Sequence, residues 1–249
     1  MKKYFLLLWL LLPLPVVVLH FGRGQQWLAL DKAHSLIVKA EAMEKQENWE
    51  QADKLYREAA KCVTNNHPET KLRLDLAQAR MRYVQGDAVA AMDQMSKLVN
   101  QNGFADMPAE FRRESRELTG RIHYYAGWVM RLEGARRDLW MEEAELARQN
   151  FRLLAEQSAS EGDADYSRQQ KMSLESAVQL ERMSLFELMG RPLPEEGRRM
   201  SGQGLSEQMG KRRGERGKGK GQKPGIGEGD GKKPGKGAGT QRFQPGQGS

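Results

Sequence analysis

The residues of this chain whose types could do chemistry are four histidines, one cysteine and three short runs of charge. His20, His34, His67 and His123 stand alone. None has a second His or a carboxylate at a recurring metal-ligand spacing, and there is no H-E-x-x-H. Cys62 is the single cysteine, which excludes an internal disulfide and a cysteine-built zinc set. On a helical pattern it reads as a small buried thiol; an intermolecular bridge or a reactive thiol is the other reading. Glu142, Glu143 and Glu145 would suit acid–base work in a pocket, but on a helical run they read as a solvated face, as do Arg112, Arg113 and Arg116. "GERGKGKG" carries a Gly–x4–Gly–Lys frame at Gly214, Gly219 and Lys220. A phosphate loop needs Ser or Thr next, after a strand and before a helix; Gly221 follows, and neither element is expected. No nucleophile elbow occurs. The chain is therefore expected to be non-catalytic, with no cofactor and no metal.

The elements that must position any other function begin with an apolar segment. Lys2 and Lys3 precede an almost wholly apolar run from Tyr4 to Leu19, with Phe21 just beyond His20. Sixteen to eighteen helical residues at about 1.5 Å each nearly cross a hydrocarbon core. Residues 1–24 are read as a signal anchor or transmembrane segment, membrane contact falling on residues 4–21. Cleavage as a secretory signal is the alternative. Positive charge before the span keeps the N-terminus in the cytoplasm, so the body is expected on the far side, periplasmic if the source is bacterial, or secreted if the segment is cleaved.

From Asp31 to Met189 the sequence is rich in helix formers, with prolines only at 68 and 108. Apolar residues recur at helical spacing: Ile37, Ala40 and Met43; Trp49, Ala52, Leu55, Tyr56 and Ala59; Leu72, Leu76, Ala79 and Tyr83; Ala88, Ala91, Met92, Met95, Leu98 and Val99. Pro68 suits a first helical turn, Gly86 a stop, and Asp87 a cap. A longer pair follows, on Phe111 to Leu132 and on Trp140 to Leu154, then a last helix at about Asp165 to Met189 closed by Gly190 and Pro192. The fold class is all-α: an antiparallel array of helical hairpins, since one amphipathic pair cannot bury its own stripes and must stack on the next.

"ENWEQADKLYREAA" sets Trp49, Ala52, Tyr56 and Ala59 on one helical face, alanines where a neighbouring backbone must approach and rings between. This arrangement resembles the tetratricopeptide repeat, with Ala52, Tyr56 and Ala59 at its second-helix positions, Trp49 just before them and Ala40 at the small first-helix position. A second, partial copy has Ala79, Gly86 and Ala91, with Met95 and Leu98 replacing the aromatic and alanine. A third, degenerate copy runs through Ala147, Phe151 and Leu154. The family's first-helix Trp and Leu-Gly pair are missing. The resemblance implies a TPR-like α-solenoid over residues 31–105, followed over 106–190 by a long helical hairpin with a capping helix. It also implies a groove lined by the first helix of each repeat, here His34, Ile37, Glu41, Lys45, Arg73, Leu76, Arg80 and Tyr83, suited to an acidic or extended peptide. The family's cation-and-asparagine clamp for peptide carboxylates is not matched.

Charge separates body from tail. From Gly197 onward there are 13 Lys and Arg against 4 Asp and Glu, a net of +9, leaving 27 against 29 in the rest. The tail, residues 191–249, holds 17 of the 26 glycines from Gly197 on and is expected to be disordered, because it has too little apolar surface to offset its ordering entropy. Phe243 is its one aromatic, so nucleic acid is not an expected partner. The function expected is a membrane-tethered scaffold that binds proteins. The alternative is a basic tail that binds an anionic surface (lipid, an envelope polymer or, least expected, nucleic acid), the helices serving as a spacer. Association of copies through the long pair at 108–160 is a third reading.

Overall fold

The structure, a computed structural model, describes residues 25–63, 66–191, 205 and 207–211. The expected membrane segment over 1–24 and most of the Gly/Lys-rich tail lie outside the described residues. Among those described, the chain is all-helical, with no strand. Its main helices are α1 (Gln25–Lys45), α2 (Trp49–Cys62), α3 (Pro68–Val84), α4 (Ala88–Val99), α5 (Ala109–Leu132), α6 (Arg137–Ser160), α7 (Ala164–Arg182) and α8 (Leu185–Met189).

Local chemistry sets most boundaries. Asn48, Asp87 and Asp163 each use a side-chain oxygen to accept a backbone N–H of the following first turn, from Gln51, Ala90 and Tyr166 respectively, which satisfies a donor that the helix itself leaves unpaired. Pro68 opens α3, where its missing N–H costs nothing. Between α3 and α4, Gly86 takes φ 101°, a left-handed turn that a side chain would oppose. Two boundaries differ from the sequence reading. α1 starts six residues before Asp31, and the last helix is two. Met183 is extended, and Ser184 starts α8 with a reciprocal capping box to Glu187.

The small residues do what their spacing requires. Ala40, Ala52, Ala59, Ala79 and Ala91 are all 0% exposed, Tyr56 is buried between its alanines, and Trp49 is half-buried at the first position of α2. Each helix packs on its chain neighbour from α1 through α7. α3 also touches α5, α5 touches α7, and α8 touches α5. One apolar cluster joins α3, α4, α5 and α6, from Leu72 to Trp140, so the boundary drawn between residues 105 and 106 runs through a shared core. Cys62 is half-buried at the end of α2, and Leu132 is largely outside the core.

α5 and α6 approach more closely than the sequence stripes suggest. A Cβ on Gly120 would lie 2.8 Å from the Phe151 ring, and one on Gly127 would lie 3.3 Å from backbone atoms of Trp140 and Ala144. These two glycines, seven apart on α5, are contact points rather than turns.

The tail expectation needs a correction at one place. Leu205 and residues 207–211 are helical, and Leu205 and Met209 are buried against the α3–α6 cluster. The Leu205 N–H donates to the Glu133 carboxylate at 3.1 Å. Two apolar side chains four residues apart, Leu205 and Met209, give this stretch a buried flank. Each is worth about 1.5–3 kcal/mol, against an ordering cost of about 1–2 kcal/mol per residue, so the contact is weakly held.

Burial pushes the phenols of Tyr124 and Tyr125 up to about 12, and burial with the Glu44 hydrogen bond raises that of Tyr56 further. An unfolded tyrosine ionises near pH ~10. The folded state therefore keeps its full tyrosine contribution below pH ~10 and loses it as pH rises toward ~12, because the unfolded chain releases those protons first. In an alkaline titration, phenolate absorbance should rise in one cooperative step together with loss of helical circular dichroism. A gradual rise with helicity retained would contradict this.

Candidate functional site

The helices α1, α3 and α5 converge on a cleft of about 470 Å³. Its floor is apolar: Tyr83 and Leu118 are buried, and Trp49 and Val84 are half-buried. Its walls are charged, with Glu44 at the end of α1, Glu47 in the turn after it, Arg80 on α3, and Glu114, Glu117 and Arg121 on α5.

Arg80 ties these elements together. Its guanidinium donates to Glu44 at 3.2 Å and, through its other terminal nitrogen, to Glu114. The second Glu44 oxygen accepts the Tyr56 hydroxyl at 2.5 Å, so α1, α2, α3 and α5 meet in one hydrogen-bonded set. Glu117 accepts the Tyr166 hydroxyl at 2.8 Å, which brings in α7. The Tyr83 hydroxyl donates to the Arg121 carbonyl at 3.4 Å, and its ring meets Tyr125 edge-on at 6.1 Å. Among the described residues, four carboxylates and two guanidiniums line the cleft, a formal net charge of −2 (2 − 4). The sequence reading expects an acidic or extended peptide at Arg80 and Tyr83; Arg80 is held between two carboxylates.

The expected groove residues do not stay together. Arg80 and Tyr83 line the cleft. His34, Glu41 and Lys45 are exposed on α1 and do not line it, and Ile37 is half-buried in the α1–α2–α3 core. Arg73 is exposed, paired with Glu69 at 3.0 Å and lying over the Phe111 ring. Leu76 and Tyr83 are 2% exposed and serve the core, so Leu76 offers nothing to a partner. The matched sequence positions fell on one helix face, but that face is wide enough to include both solvent and core.

No family model, curated protein or solved structure matches this chain.

What sequence reasoning missed lies on α5. Glu114, Glu117 and Arg121 recur at gaps of three and four, one helical face, and that periodicity was the available signal. The solvated-face reading also fails for Glu143, which is 7% exposed and hydrogen-bonded to His123 Nδ1 at 2.5 Å. Arg112 holds the loop before α5 through the Ala105 and Met107 carbonyls. Arg113 reaches Glu161 at 3.1 Å and lies over the Tyr166 ring. Among the described residues, no group of three or more His, Cys, Asp and Glu is placed to hold a metal ion. Among the described residues, the cleft lining contains no Ser, Thr, Cys or His. No described helix is long and apolar enough to cross a membrane; residues 4–21 lie outside that statement.

Proposed function

We propose that this chain is a non-catalytic, membrane-tethered scaffold of the tetratricopeptide-like kind, which takes an extended, cation-bearing segment of a partner protein in the cleft between α1, α3 and α5. The observation that carries this reading is the cleft itself. An apolar floor of Tyr83 and Leu118 lies under a rim where Glu44, Glu47, Glu114 and Glu117 outnumber Arg80 and Arg121. A floor of this kind takes apolar side chains, and a rim of one dominant sign steers and orients a charged segment. The alanine-notched helices and the neighbour-to-neighbour packing support a stacked-hairpin array. The apolar run at residues 4–21 supports the tether and an extracytoplasmic body.

The test is site-specific photo-crosslinking in intact cells from position 121 of the full chain. Extracytoplasmic partners should be captured, and Glu114→Lys with Glu117→Lys should reduce capture at least tenfold while circular dichroism stays unchanged. Capture that is indifferent to both reversals, or made up of cytoplasmic proteins, would remove the cleft or the topology respectively.

A further inference from the structure

Leu205 and residues 207–211 sit on a second groove, formed by α4, α5 and α6, and do not fill it. Beside Met209 a cavity of about 300 Å³ stays open, walled by Met92, Met95, Val99, Leu139 and Leu146. Its polar end is the His123–Glu143 pair, with Glu142 next to it. Val99 stands at the lip, 44% exposed.

We propose that this groove is a receptor for an amphipathic helix of a partner protein, and that Leu205 and residues 207–211 occupy some of it in cis as a displaceable stand-in. Three observations carry this. First, the chain's own stretch shows the binding mode: apolar residues at i and i+4, Leu205 and Met209, facing one apolar cluster. Second, the open cavity continues from Met209, so a helix with a third apolar residue one turn further on would bury a side chain that the cis stretch cannot supply. Third, the walls are rich in methionine, whose unbranched thioether repacks around different side chains, a property suited to helix-binding surfaces. The carboxylates at the polar end favour a Lys or Arg beyond the last anchor. Because the cis stretch is tethered, it competes at high effective concentration, and a partner must outbind it or find it withdrawn.

The test uses the full chain in detergent and two fluorescein-labelled peptides. One is this chain's residues 200–214; the other is an alanine-based helix with Leu, Met and Leu at i, i+4 and i+8. Leu205→Asp with Met209→Asp should free the groove, so that anisotropy shows the 200–214 peptide binding at least tenfold tighter than to wild type. The three-anchor helix should bind tighter again, and the added lip substitution Val99→Glu should reverse the gain. A chain ending at Gly197 should behave like the double variant, which guards against misfolding of the latter. Equal binding to wild type and to both freed chains would overturn the proposal, as would no gain from the third anchor. So would a wild-type dimer dissolved by the double variant, since a second copy would then be the occupant.

Discussion

Replacing Phe151 by Ala should lower stability by about 3–5 kcal/mol, the usual range for emptying a buried aromatic site. In that background Gly120→Ala should become stabilising. Phe151 is buried with Ala147 and Ala177, and its ring lies where a Gly120 side chain would have to go, 2.8 Å from where the Cβ would sit. In the wild-type chain, Gly120→Ala gains helix propensity of about 1 kcal/mol but must push a packed ring aside, an overpacking cost of about 1–3 kcal/mol. With Phe151 gone, the methyl enters the cavity and the propensity gain remains. Urea unfolding of the four chains should give a coupling of about 1–3 kcal/mol. Additivity within about 0.5 kcal/mol would mean that the two residues do not share the space.

Arg131→Ala should cost about 3–5 kcal/mol, and Arg131→Lys should recover less than half of it. The Arg131 guanidinium stacks 4.5 Å from the Trp140 ring centroid and donates to the carbonyls of Leu180 and Met183, at the end of α7. Burial holds its pKa below the ordinary arginine value, yet the group keeps its charge. Two charge-assisted hydrogen bonds at about 1.5–3 kcal/mol each and a stacking contribution of about 0.5–2 kcal/mol overlap, so their sum is not reached. A lysine ammonium is a point charge that cannot span both carbonyls or stack flat. Hydrogen exchange should show α7 and α8 opening together in Arg131→Ala while α1 to α4 keep their protection. A uniform loss of protection would show that Arg131 does not act as a local fastener.

Helix positions were legible because their signals are local. Pro68, Gly86 with Asp87, and the Trp49–Ala52–Tyr56–Ala59 face each act within one or two turns. The division of α7 from α8 was equally local, since Ser184 and Glu187 form a capping box, but the apolar spacing ran through it and hid the break. The cleft was only half legible. Arg80 and Tyr83 could be placed on a helix face, yet whether that face meets water or α5 depends on residues more than thirty positions away. Leu76 was lost from the site for that reason, and Glu114, Glu117 and Arg121 were missed for the same one. His123 and Glu143 show the limit most clearly. In the sequence His123 stands alone and Glu143 belongs to an acidic run read as solvated, and only the packing of α5 on α6 makes them a pair.

The contacts between successive helices have a consequence for how the molecule comes apart and together. Interactions that span few residues lose little entropy when they close, so such chains assemble quickly, on about the microsecond-to-millisecond scale. Among the described residues α1 and α2 pack toward α3, and α7 and α8 toward α5 and α6, so either end is expected to melt while the centre survives. The Arg80 junction, which joins four helices, is then the place where damage at one end is felt by the next.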